Sequence, residues 1–85
     1  MIPIPTIGRI IHAVFKDAHD RTVIRPAIIV RVWGETADSA INAQIFCDSN
    51  GGRDNDALPN VIWKTSLCHD PGGIVLNSWH WPTKT

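Results

Sequence analysis

The chain has 85 residues and a mass of 9.4 kDa, enough for one domain with a small core. Eight Lys and Arg balance eight Asp and Glu, so the formal net charge is zero, which lacks the electrostatic footprint expected of a duplex-DNA or anionic-membrane binder. The longest apolar run, residues 27–30, is too short to cross a bilayer, and MIPIPTIGR has no basic region leading into an apolar stretch, so no signal peptide is expected.

Composition points to strands. Twelve Ile, six Val and six Thr are β-branched, against three Leu, one Glu, one Gln and one Met. Branching at Cβ restricts χ1 in a helix and suits a pleated surface. Six Gly, six Pro and five Asn supply turn chemistry.

Residues 1–7, MIPIPTI, alternate apolar side chains with prolines that lack an amide proton, and so read as an extended N-terminal arm. Residues 8–15, GRIIHAVF, are apolar on both faces, as in a closed or covered sheet, and 16–21 are a polar turn. Residues 23–33, VIRPAIIVRVW, place Ile24, Ile28, Val30 and Val32 on one side. Arg25, Ile29, Arg31 and Trp33 lie on the other. After the loop 34–40, residues 41–47 alternate again, with Ile41, Ala43, Ile45 and Cys47 on one face and Asn42, Gln44 and Phe46 opposite. A polar loop, 48–60, leads to a fourth strand at 61–67 with Val61, Trp63 and Leu67 on one side. HDPGG is a turn, and 74–81, IVLNSWHW, give a fifth strand that Pro82 ends. The expectation is an all-β fold: an arm at 1–7, then a small five-stranded barrel or sandwich, SH3-like or OB-like, over 8–85.

Chemistry-bearing patterns are sparse. Cys47 and Cys68 belong to no C-x-x-C pair; two buried thiols are the simplest reading, and a disulfide needs their strands to be neighbours. His12, His19, His69 and His80 show no metal-ligand spacing, so no metal and no cofactor are expected. Here His12 reads as a packed strand residue and His19 and His69 as loop residues. DSNGGRDND fails the calcium-loop pattern counted from Asp48, with Arg53 at the sixth position and Pro59 at the twelfth. Asp54 and Asp56 lie in a Gly/Asn-rich loop with no sign of burial. No nucleophile elbow, phosphate loop or glycine fingerprint occurs, and no enzyme activity is expected. The four Trp are a heavy aromatic load, and SWHWP is the most unusual segment. Trp residues either plug a barrel or display a stacking or docking surface.

GRIIH at 8–12, RPAIIVRVW at 25–33, NAQIFCD at 42–48, ND at 55–56, WKTS at 63–66 and the closing PGG…SWHWP at 71–82 together resemble a family of small proteins encoded by tailed phages and prophages. The likeness covers most of the chain. The ending is longer between PG and Trp than the family pattern, which leaves the register of the last strand open. The resemblance implies phage origin and a small β-fold, and it carries over no catalytic residues.

The functional expectation is a non-enzymatic virion accessory protein: a head cement or decoration subunit, or a small neck or tail component. It would be assembled in the bacterial cytoplasm, oligomeric in the assembly, and bound to a capsid or tail protein. Ile2, Pro3, Ile4 and Pro5 would add to a neighbour's sheet edge, with Trp79 and Trp81 anchoring the contact. The alternatives are a host-protein inhibitor and a small-ligand binder, such as a sponge for a nucleotide immune signal. The latter would use Arg25, Arg31, Trp33 and Trp79. A single-stranded nucleic-acid module on such a barrel is disfavoured by the zero net charge.

Overall fold

The β-branched runs form β1 (Ile10–Lys16), β2 (Thr22–Val32), β3 (Ile41–Phe46), β4 (Val61–His69) and β5 (Ser78–His80). The computed structural model describes residues 3–49 and 55–82, and these five strands close into one barrel in sequence order. Neighbouring strands run antiparallel, including β1 with β5; the closing β4–β5 pair is parallel. The architecture is all-β and is compatible with a small SH3-like or OB-like barrel. Closure matters to a chain this small, because it removes the unpaired edges of an open sheet.

The core is a single cluster. Ile11, Ala13 and Phe15 of β1 meet Ala27 and Ile29 of β2, the alternate Ile41, Ala43 and Ile45 of β3, Leu67 of β4 and Trp79 of β5. All are fully buried. Trp79 fills the interior beneath the shortest strand. Its indole N–H donates to the backbone oxygen of Ser39 at 3.0 Å, so the plug also anchors the β2–β3 loop.

Two bulges set which side chains face in. Between the pairs Ile29–Ala43 and Arg31–Asn42, β2 carries one residue more than β3, and Val30 and Arg31 both face outward. Between Ile41–Leu67 and Ala43–Lys64, β4 carries the extra residue, where Ser66 adopts φ +56°. Asn42 sits at both irregularities. Its buried side-chain oxygen accepts from Trp33 Nε1 and Thr65 Oγ1 at 2.8 Å and from the Ser66 amide at 2.9 Å.

The bulges correct the expected strand faces. In β2 the inward residues are Val23, Arg25, Ala27 and Ile29, then Val32 beyond the bulge; Ile24 and Val30 are exposed. Strict alternation had grouped Arg25 with Arg31 and Trp33, and Val32 with Ile24. In β4, Val61 and Trp63 face out while Leu67 faces the core, because the extra residue reverses the alternation between them.

The fifth strand is shorter than its apolar run suggested. Residues 74–77 belong to a turn, since Asp70 collects the amides of Gly72, Ile74 and Val75 on its carboxylate. Asn77 adopts φ +60° and donates its amide to Val14 O. At the other end, sheet-like pairing starts just before β1, where the Gly8 amide donates to Ile29 O at 2.8 Å.

Asn42→Ala removes the one acceptor shared by three donors. It is expected to cost about 1–3 kcal/mol in urea unfolding, since the Ser66 amide is left without its partner. A loss below about 0.5 kcal/mol would contradict the role given to Asn42.

Candidate functional site: the outer face of β2–β3–β4

Because β-strand side chains alternate, each residue one step from the core points to the outside of the barrel. On β2 these are Ile24, Pro26 and Ile28; on β3, Gln44 and Phe46; on β4, Val61 and Trp63. The register aligns them. Ile10 of β1 pairs with Ile28, Ile28 with Gln44, and Gln44 with Trp63, a row running across four strands. One row along, Phe46 pairs with Val61, and Pro26 lies one step beyond the Ala27–Ile45 pair. Ile10 and Trp63 retain 58% and 56% of their exposure, and Ile24, Phe46 and Val61 are also exposed. No Lys, Arg, Asp or Glu projects from these positions. Exposed apolar side chains grouped on one face rather than scattered singly give it the character of an interaction surface.

A third exposed aromatic, Trp33, lies just past the end of β2. Trp33 lies over Asn42, and the Arg31 guanidinium carbon sits 4.3 Å from its ring centroid. That pairing occupies both side chains locally.

The sequence-predicted residues are dispersed. Met1, Ile2 and Asp54 lie outside the described residues. Pro3 and Ile4 are exposed, but Pro5 is buried. Trp79 is fully buried and is not a docking anchor. Trp81 is half-buried against the core, edge-on to Trp79 at 5.4 Å, with Arg9 stacked over it at 4.8 Å. The four residues of the ligand-binding alternative do not converge. Arg25 turns inward, Trp79 plugs the core, and Arg31 with Trp33 faces out at the far end of β2.

Arg25 has a different task. It forms a two-point contact with Asp56, Nη2 to Oδ1 at 2.6 Å and Nε to Oδ2 at 2.8 Å. Asp56 is fully buried, and it also accepts the Asp48 amide at 2.8 Å, so the pair clamps the long β3–β4 loop onto the barrel. The Arg25 hydrogen bond holds the Asp56 carboxyl below its ordinary range against the opposing effect of burial. This corrects the expectation of no burial for Asp56. At the β1–β2 turn, burial pushes Asp17 up, but donors from the Arg21 and His19 amides and the Arg21 guanidinium leave it lowered.

The cysteines are unbonded. Cys47 is half-buried, and burial pushes its thiol up; Cys68 is exposed, which departs from the expected pair of buried thiols. His69 ends β4 with its ring 4.6 Å from Trp79, so it is packed rather than a loop residue. His12 is a half-buried strand residue, as its position suggested. Among the described residues, no group of three or more His, Cys, Asp and Glu side chains is placed to hold a metal ion, and no pocket opens on the surface.

No family model, no curated protein and no solved structure matches this chain.

Replacing Asp56 with Asn removes the charge that faces Arg25. The expected cost is about 2–3 kcal/mol at pH 7, below the range for a fully buried pair because Arg25 is partly exposed. Since the folded-state pKa of Asp56 is depressed, its stabilisation is complete above the unfolded value near 4 and is lost as pH falls through the folded value. Acid titration of unfolding free energy should therefore fall less steeply below pH ~4 in Asp56→Asn than in the wild type. Parallel curves would contradict the assignment.

Proposed function

We propose that the chain is a non-enzymatic docking protein that binds a partner protein through the outer face of β2–β3–β4, as a virion accessory component of a tailed phage. The observation that carries the docking reading is the row of half-buried Ile28 with exposed Gln44 and Trp63, beside exposed Phe46 and Val61, free of Lys, Arg, Asp and Glu. Such a surface gains little from electrostatic steering and much from excluded water, which suits a permanent contact in an assembly more than a transient encounter. Trp63 and Phe46 are the aromatic anchors, and aromatic residues dominate binding energy where they are fully desolvated.

The phage setting rests on the sequence resemblance, and within it a capsid or tail protein is the partner. A head cement or decoration subunit, or a small neck or tail component, would be carried in the particle after assembly in the bacterial cytoplasm. The arm residues Pro3 and Ile4 are exposed and available as a secondary contact; Trp79 is not. A small-ligand sponge gains no support from the dispersal of Arg25, Arg31, Trp33 and Trp79.

The test is quantitative mass spectrometry of purified particles of the phage that encodes the chain. The wild type is expected at tens to hundreds of copies, and the double variant Phe46→Lys, Trp63→Lys at less than about a tenth of that, with an unchanged far-ultraviolet dichroism spectrum. Absence of the wild type from clean particles would overturn the virion reading. Normal loading of the double variant would overturn the assignment of the face.

A further inference from the structure

We propose that the turn at residues 70–77, together with the imidazoles of His80 and His12 beneath it, is an acid-sensitive latch on β5: protonation of His80 lifts the turn and loosens the strand that closes the barrel. The inference is independent of the docking face.

β5 is the weakest element of the closure. It has three residues, three register pairs with β1 and two with β4. Its outer surface is covered by the turn. Gly73, at φ +68°, packs against the His80 ring so closely that a Cβ there would lie 3.1 Å from Cε1 and 3.4 Å from Nδ1. Asp70 holds the turn in shape through the amides of Gly72, Ile74 and Val75, at 2.8–3.2 Å. Ser78 Oγ donates to Val75 O at 2.6 Å, tying the turn to the start of β5.

His80 is the pressure point. It is 8% exposed, and its Nδ1 is buried with no hydrogen-bond partner. A neutral imidazole with its proton on Nε2 tolerates that arrangement, because Nδ1 is then only a lone pair. The imidazolium does not: it places an N–H with no acceptor against the backbone of Gly73, and an unmet buried donor costs far more than an unmet lone pair on a neutral ring.

The surrounding charges act on the same equilibrium. His12 of β1 pairs directly with His80 and meets it edge-on, with ring centroids 5.5 Å apart. His69, at the end of β4, also disfavours a charge on His80, while Asp70 favours one. Asp70 is occupied by the turn amides, and its own pKa is lowered by those bonds, so it stays ionised throughout the histidine range. Burial first, then His12, place the His80 pKa below the ordinary imidazole value. The closed latch is therefore at full stability above pH ~6.5, and loses it as pH falls through the value of the released ring.

The experiment is amide hydrogen exchange by nuclear magnetic resonance on the intact chain, with protection factors corrected for intrinsic rates, at pH 7.5 and 5.0. Protection at Asn77, Ser78 and Trp79 should drop between about threefold and thirtyfold. The upper limit is set by a closed state that stays neutral and an open-state pKa of about 6.5. The Ile29 amide, which donates to Arg9 O, and the Ala43 amide of β3 should hold their protection. His80→Phe, which keeps a ring and has no titrating nitrogen, should abolish the drop, and His12→Gln should reduce it. Flat protection in the wild type would overturn the latch, as would an undiminished drop in His80→Phe. If His80→Phe fails to fold, direct titration of the wild-type imidazoles decides: a His80 pKa below the ordinary imidazole value of about 6.5 supports the latch, and one at or above it overturns the latch.

Discussion

The side-chain oxygen of Asn42 is the point on which the rest of the barrel depends. Three donors from two other strand regions converge on it, and each comes from a residue beside a bulge or just past one. A carboxamide oxygen can accept several hydrogen bonds, and a buried one is costly to leave unmet. Fixing the two bulges at this point decides the parity of β2 and β4. With parity fixed, Val32 and Leu67 turn inward to the core, while Val61 and Trp63 turn outward. The core and the exposed face are thus two consequences of one local arrangement.

Carboxylates do similar work at the turns. Asp17 at the β1–β2 turn, Asp56 in the β3–β4 loop and Asp70 before β5 each gather backbone amides, and Asp17 and Asp56 add an arginine. Loops with many polar backbone groups need such partners when they are drawn against a barrel. The three carboxylates lie in the turns and loops, away from the row of Ile28, Gln44 and Trp63.

Strand existence was legible in the sequence, and strand faces were not. The β-branched runs and the polar or glycine-containing breaks located all five strands, with most ends within two residues. Alternation failed wherever one extra residue entered the ladder, because a bulge shifts every later side chain to the other face. Strict alternation thus groups Arg25 with Arg31, whereas Arg25 points inward to Asp56. The pairing of Arg25 with Asp56 spans 31 residues, and nothing local announces it. The run at 74–77 is apolar enough for a strand; Asp70, four residues before Ile74, is the competing signal, an acidic side chain able to gather turn amides. The exposed apolar face was not legible for a related reason. Ile28, Phe46 and Trp63 are far apart in the chain, and only the register brings them into neighbouring rows. Trp79 attracted attention as an unusual residue, and its role is packing, which sequence alone cannot separate from display.

A barrel that closes through three residues of β5, and carries apolar surface on the outside of β2–β3–β4, has reason to act within an assembly. A partner seated on β2–β3–β4 would cover that surface and stabilise the barrel by mass action. Hydroxyl-radical footprinting, comparing the free chain with the chain in purified particles, tests this most directly. The account predicts that Phe46, Val61 and Trp63 become strongly protected in the particle, while Ile74 and Val75 keep their reactivity. Equal labelling of Phe46 and Trp63 in both states, or protection confined to the arm and the 74–76 tip, would contradict it.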